Sequence, residues 1–230
     1  MSGGGQGIAL DDVTIRLRGT VLLRVDCTIR PGETVTIMGP SGSGKSTLLS
    51  YVAGFLDPVF SAAGRVLLDG AEVTSLPPQR RGIGLLFQDP LLLPHLSVAG
   101  NLLIGLPSDV RGRSARRAAA ETALAEMGME GFADRDPATL SGGQAARVAL
   151  MRTLLARPRA LLLDEPFSKL DPALRQQIRD LVFDNIRRRN LPALIVTHDP
   201  ADAEAAGGRV ISLDAMGTGT EGSGPSGDLL

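Results

Sequence analysis

One cysteine in 230 residues rules out an internal disulfide and any multi-cysteine zinc cluster. Cys27 stands in an alternating apolar run, so a core position in a reducing compartment is expected. Nowhere does the chain approach 18 uninterrupted apolar residues. Met1 is followed by Ser-Gly-Gly-Gly-Gln-Gly rather than by a basic and then apolar leader, so neither a membrane span nor a secretory signal is expected. A charge excess is missing too: 24 basic against 25 acidic residues leave a net charge of −1, which gives no field to draw in a nucleic-acid backbone. The Arg187-Arg188-Arg189 run reads as a solvated helix end that complements the dipole. Lysine is scarce, with Lys45 and Lys169 against 22 arginines, and each therefore asks for a reason. Internal repeats are absent. The 28 glycines and 15 prolines, about a fifth of the chain, stay below the roughly 25–30% that marks low complexity.

What the chain does have is a change of strand character along its length. Val13, Ile15 and Leu17 alternate with polar neighbours, as do Val21, Leu23, Val25, Cys27 and Ile29, which predicts half-buried antiparallel strands. Ile83 to Phe87, Ala160 to Leu163 and Ala193 to Val196 are instead almost continuously apolar, as parallel strands covered on both faces require. Asp171-Pro172 reads as an N-cap and first turn, with Leu174, Ile178, Leu181, Val182 and Ile186 as one apolar stripe behind it. From Asp89 to about Arg157 no strand is expected, whereas Arg113 to Met127 and Ser141 to Ala156 are Ala-rich and helical. The fold class is thus α/β: a core over 8–88 and 158–214 with an N-terminal antiparallel β layer, and a helical subdomain inserted at 89–157. Residues 1–7 and 215–230 read as flexible tails.

Gly39-Pro40-Ser41-Gly42-Ser43-Gly44-Lys45-Ser46 satisfies G-x-x-x-x-G-K-[ST], follows the strand Thr34 to Met38 and opens a helix through Thr47. The three glycines let consecutive backbone N–H groups wrap a triphosphate at a helix start. Lys45 brings a mobile point charge to the β- and γ-phosphates where a planar guanidinium fits poorly, which explains a lysine in a chain that otherwise uses arginine. Ser46 supplies a hydroxyl for Mg²⁺, and Asp164, closing the apolar run Ala160 to Leu163, suits the same ion. Glu165 is placed to orient or deprotonate a water. Leu140-Ser141-Gly142-Gly143-Gln144 is a second anion-facing helix start, with Ser141 at the N-cap.

In this order, the P-loop at 39–46, Gln88 after a strand, the 140–144 loop, Leu-Leu-Leu-Asp-Glu-Pro166, Ser168-Lys-Leu-Asp171 and Thr197-His198-Asp199 resemble the ABC ATPases over roughly residues 8–214. The resemblance implies a P-loop NTPase core and ATP with Mg²⁺ as ligands. It implies that Gln88 senses the metal and the attacking water, Glu165 is the catalytic carboxylate, His198 contacts the γ-phosphate and Asp171 couples two sites. It also implies a head-to-tail homodimer in which Ser141 and Gly143 of one copy close on ATP held by the other.

Gln88-Asp-Pro-Leu-Leu-Leu-Pro-His-Leu-Ser-Val98, followed by Asn101, is similar to the importer subunits of the sulfate, iron, thiamine and polyamine type. Asp136-Pro-Ala-Thr-Leu-Ser and a long turn from Phe55 to Gly64 look closest to the YnjD-type subunits. That resemblance implies an energy-coupling ATPase on the cytoplasmic face of a bacterial inner membrane, working with permease subunits and a substrate-binding protein, not with nucleic acid. Leu91, Leu92 and Leu93 are either part of the groove for a permease's coupling helix or core. The alternative is a non-transport role in envelope remodelling or DNA repair. The repair class carries heptad arms or cysteine clusters, and this chain has neither. Three positions depart from the family pattern: Gly100, Ala145 and Leu17, the last where an aromatic ring stacks on adenine. Apolar contact at Leu17, or a guanidinium from Arg16 or Arg18, would have to replace that ring.

Overall fold

Strand β1 (Ile8–Leu17) cannot be an unbroken alternating strand, because its buried residues switch parity from Ile8 and Leu10 to Val13 and Ile15. The computed structural model, which describes residues 7–213 and 219–222, resolves the conflict with a bulge. β1 advances three residues from Leu10 to Val13 while its antiparallel neighbour β2 (Thr20–Ile29) advances two, and three from Asp11 to Thr14 while β4 (Phe60–Leu68) advances two. Asp12 takes φ 49° there. Gly64 faces it, and a Cβ on Gly64 would lie 2.4 Å from the Asp12 carbonyl oxygen, so this partner must be glycine. Asp11 and Asp12 turn outward to Arg65 and Arg24. With β5 (Ala71–Glu72) the sheet runs β2-β1-β4-β5.

A second sheet, also of the first compact unit apart from the end of one edge strand, has the order β10-β9-β3-β8-β7-β6. Its strands are β3 (Thr34–Met38), β6 (Ile83–Leu86), β7 (Ala160–Asp164), β8 (Ala193–Thr197), β9 (Arg209–Leu213) and β10 (Gly219–Gly222). β3 pairs in parallel with β8 and β9, and β7 in parallel with β8. The apolar runs of β7 and β8 are fully buried, as continuous hydrophobicity requires of central parallel strands. Helix α1 (Lys45–Ala53) packs Leu48, Leu49 and Val52 into the same core. It ends on Gly54 at φ 95°, whose N–H donates to the carbonyls of Ser50 and Tyr51.

The second compact unit comprises residues 86–158 and 166–182. It holds α2 (Val98–Gly105), α3 (Arg113–Glu126), α4 (Gly142–Leu155) and most of α5 (Pro172–Arg188). Residues 166–182 therefore group with the helical insert rather than with the core assigned from the sequence. Three further features differ from the sequence reading. Helix α2 was not expected; Ser97 caps it by accepting from the Gly100 N–H. β4 begins at Phe60, inside the stretch read as a turn. Of the expected tails, 1–6, 215–218 and 223–230 lie outside the described residues, but Gly7 exchanges hydrogen bonds with Asp69. Residues 219–222 pair antiparallel with β9 on the side away from β3, and so form the edge strand of this sheet.

Candidate active site

The carboxyl ends of β3, β8 and β7 lie side by side, which is where open α/β sheets bind ligands. Met38 is level with Thr197, and Asp164 with Val196. The loop after β3, the pair after β7 and the histidine after β8 are thereby brought together. Gly42 and Gly44 adopt φ 81° and 86°, the conformation that turns successive N–H groups inward. Lys45, 6% exposed, donates from Nζ to the carbonyls of Gly39 and Pro40 at 2.9 and 2.8 Å, so its ammonium is already aimed at the loop. Ser43 carries a buried hydroxyl with no partner, an orphan that a phosphate oxygen would satisfy.

Ser46 Oγ donates to Asp164 Oδ1 at 2.8 Å. Burial pushes the Asp164 carboxyl above the usual range. The Ser46 hydrogen bond and Lys45 pull it back, while neighbouring Glu165 raises it further. A cation beside this pair would relieve that cost. Glu165 follows in a left-handed backbone conformation, φ 43°, and its N–H donates to the Val196 carbonyl. Its Oε2 lies 3.2 Å from His198 Nδ1.

Leu17, Leu22, Ser41, Gly42, Gly44, Lys45, Ser46, Thr47, Phe60 and Glu165 line a cleft of about 360 Å³, within the size range of small-molecule sites. Phe60 is the residue that sequence reasoning missed. It stands opposite Leu17 across the β1–β4 pair and brings a ring to the apolar end of the cleft. Its signal was hidden because the start of β4 read as a turn. Arg16 lines a different cleft with Asp12, Thr14 and Arg24, and Arg18 sits in the β1–β2 turn at φ 49°.

In the second unit, Ser141 and Gln144 form a reciprocal capping box at the start of α4, so the Gln144 side chain is engaged with the Ser141 N–H. The two glycines differ. A Cβ on Gly142 meets nothing within 4 Å, whereas on Gly143 it would press into the Leu174 side chain. Gln88 donates from Nε2 to Ser168 Oγ at 2.8 Å, and the neighbouring Asp89 pairs with Lys169 at 2.5 Å, which explains the second lysine. Asp171 caps α5 by accepting from the Leu174 N–H. Asn101, fully buried, accepts from the Leu93 N–H and donates to the carbonyls of Leu93, Leu96 and Ser97.

Residues 22–168 match the family described as ABC transporter. The chain belongs to that family. This ABC ATPase is 49% identical over 199 residues to the uncharacterized ABC transporter ATP-binding protein YnjD of Escherichia coli (strain K12), covering 86% of this chain and 91% of that one. It is 41% identical to the thiamine import ATP-binding protein ThiQ of Chelativorans sp. (strain BNC1), covering 91% and 84%. Among solved structures it resembles the dimeric post-hydrolysis state of the ATP-binding cassette MJ0796 bound to ADP and Pi. That match has TM-score 0.77 and 32% identity, and covers 94% of this chain and 97% of that one. The ABC ATPase binds and hydrolyses ATP as the nucleotide-binding subunit of a transporter, and its fold is that of the P-loop NTPases.

Proposed function

We propose that this ABC ATPase drives an importer at the cytoplasmic face of the inner membrane, as a dimer joined to separate permease subunits and served by a substrate-binding protein. Relatives bearing import names, for thiamine, 2-aminoethylphosphonate and spermidine/putrescine, support import. Their cargoes differ while their ATPase subunits remain similar, so cargo is read by the partners.

In this reading the phosphates lie on the amides of residues 39–47 with Lys45 against the β- and γ-phosphates, and the base rests on Leu17, Leu22 and Phe60. Ser46 and Asp164 would hold Mg²⁺, with Gln88 as the further ligand that the family resemblance implies. Bound there, the ion would supply positive charge to offset that of the phosphate oxygens. Glu165 takes the proton of the water that attacks the γ-phosphorus, and His198 steadies Glu165 and the γ-phosphate. Ser141 and Gly143 of a second copy cover that phosphate.

The observation that carries the proposal is one cleft holding Lys45, Ser46 and Glu165, with Asp164 bonded to Ser46 and His198 to Glu165. Glu165→Gln keeps shape and removes the base. It is expected to bind ATP normally, lose about 10²–10⁴ in turnover and run as a dimer on sizing columns with Mg-ATP. Turnover equal to wild type, or a monomer with Mg-ATP at tens of micromolar protein, overturns it.

A further inference from the structure

His198 has to point at Glu165 although its side chain is 61% exposed, so packing alone does not fix its direction. The residues on either side of it are held. Thr197, the last residue of β8, is 2% exposed and donates from Oγ1 to Asp202 Oδ2 at 2.8 Å. The same hydroxyl accepts from the Asp199 N–H at 3.1 Å, and Asp199 Oδ1 in turn accepts from the Ala201 N–H at 2.9 Å. Asp202 is itself 2% exposed, in the first turn of the seven-residue helix α6 (Pro200–Ala206). Keeping a carboxylate dry costs free energy unless its hydrogen bonds are made, and here one of them goes to the residue before the histidine.

We infer that Asp202 is a positioning residue. Through the Thr197 hydroxyl it fixes the turn 197–199 and so holds His198 at Glu165. The inference rests on the reading of Glu165 and His198 as a hydrolytic pair. Thr197 is the hinge of the arrangement, since its hydroxyl is both donor to Asp202 and acceptor for the Asp199 N–H. The two bonds clamp the backbone on both sides of the ring-bearing residue.

The chain has two histidines, His198 and the exposed His95 in the other compact unit, so ring NMR signals report on His198 with a built-in control. Thr197→Val and Asp202→Ala are expected to lower kcat at least tenfold while KM for ATP stays within twofold. Thr197→Ser and Asp202→Asn keep the bonding atoms and are expected to remain within threefold of wild type. In the Val and Ala variants the His198 ring signals should move toward those of His95, with His95 unmoved. A folded Thr197→Val enzyme with wild-type kcat and unmoved His198 signals overturns the inference, as do Ser and Asn variants that fall as far as Val and Ala. If the Val and Ala variants fail to fold, Asp202→Glu shifts the carboxylate by one methylene, and unmoved His198 signals in it overturn the inference. Full activity in His198→Ala would instead count against the assignment of the hydrolytic pair.

Discussion

Phe60 and Glu165 show how much a single residue's setting decides. Glu165 sits at φ 43°, where a side chain with a Cβ is strained by about 1–3 kcal/mol, and it stays there because its N–H is tied to β8. In the proposed site Phe60 supplies the ring that Leu17 lacks, so β4 joins β1 in lining the end of the cleft assigned to the base. Stacking on an aromatic ring contributes about 1–3 kcal/mol in nucleic-acid sites. Phe60→Ala is therefore expected to weaken ATP and GTP binding by about 5–150-fold, and Leu17→Tyr to change it little in the presence of Phe60. Fluorescent-nucleotide titration of the two variants checks this, and unchanged affinity in Phe60→Ala would return the base to Leu17 alone.

At the level of elements, Arg81 is the clasp of the P-loop helix. It is 5% exposed, donates to the carbonyls of Tyr51, Val52 and Leu76 at 2.8–2.9 Å, and reaches Thr74 as well. Burial lowers its pKa. Arg81→Ala strands these carbonyls and should cost about 2–4 kcal/mol, a fall in Tm of about 5–15 °C in a thermal melt. None of this was legible in the sequence, because one arginine among 22 carries no mark of its partners. The P-loop, the strand ends at Asp164 and Thr197 and the caps at Ser141 and Asp171 were legible, since each depends on neighbours in the chain. Helix α2 was not. Gly105 weakens its pattern, and the need for that glycine lies on α4, where the Arg152 carbonyl oxygen would be 2.1 Å from a Cβ. Phe60 escaped for the same reason, because its meaning depends on Leu17 across a sheet.

On the scale of the whole molecule, the described residues include no helix long and apolar enough to cross a membrane. The second unit exposes Leu91, Leu93 and Ile104, 37–55% accessible. Arg152 braces the first by donating to the carbonyls of Pro90 and Leu91, Asn101 braces the second, and the third precedes the Gly105 that meets Arg152. We propose these exposed apolar side chains as contacts for a permease helix. Leu91→Ser together with Ile104→Ser is expected to cut the recovery of a multispanning partner from detergent-solubilised membranes at least fivefold. Equal recovery would place the docking surface elsewhere.

The bulge in β1 also governs how the chain tolerates insertions and deletions. Removing Asp11 or Asp12 would put Ile8, Leu10, Val13 and Ile15 back into one unbroken alternation, all still facing inward. Removing Thr14 would leave Val13 and Ile15 adjacent and send one of them to the solvent face. Two deletions a couple of residues apart in the same strand thus have opposite consequences. The extra residue opposite Gly64 is a tolerated place for a change of length in β1, and a strand lacking it would be free of the demand for glycine there.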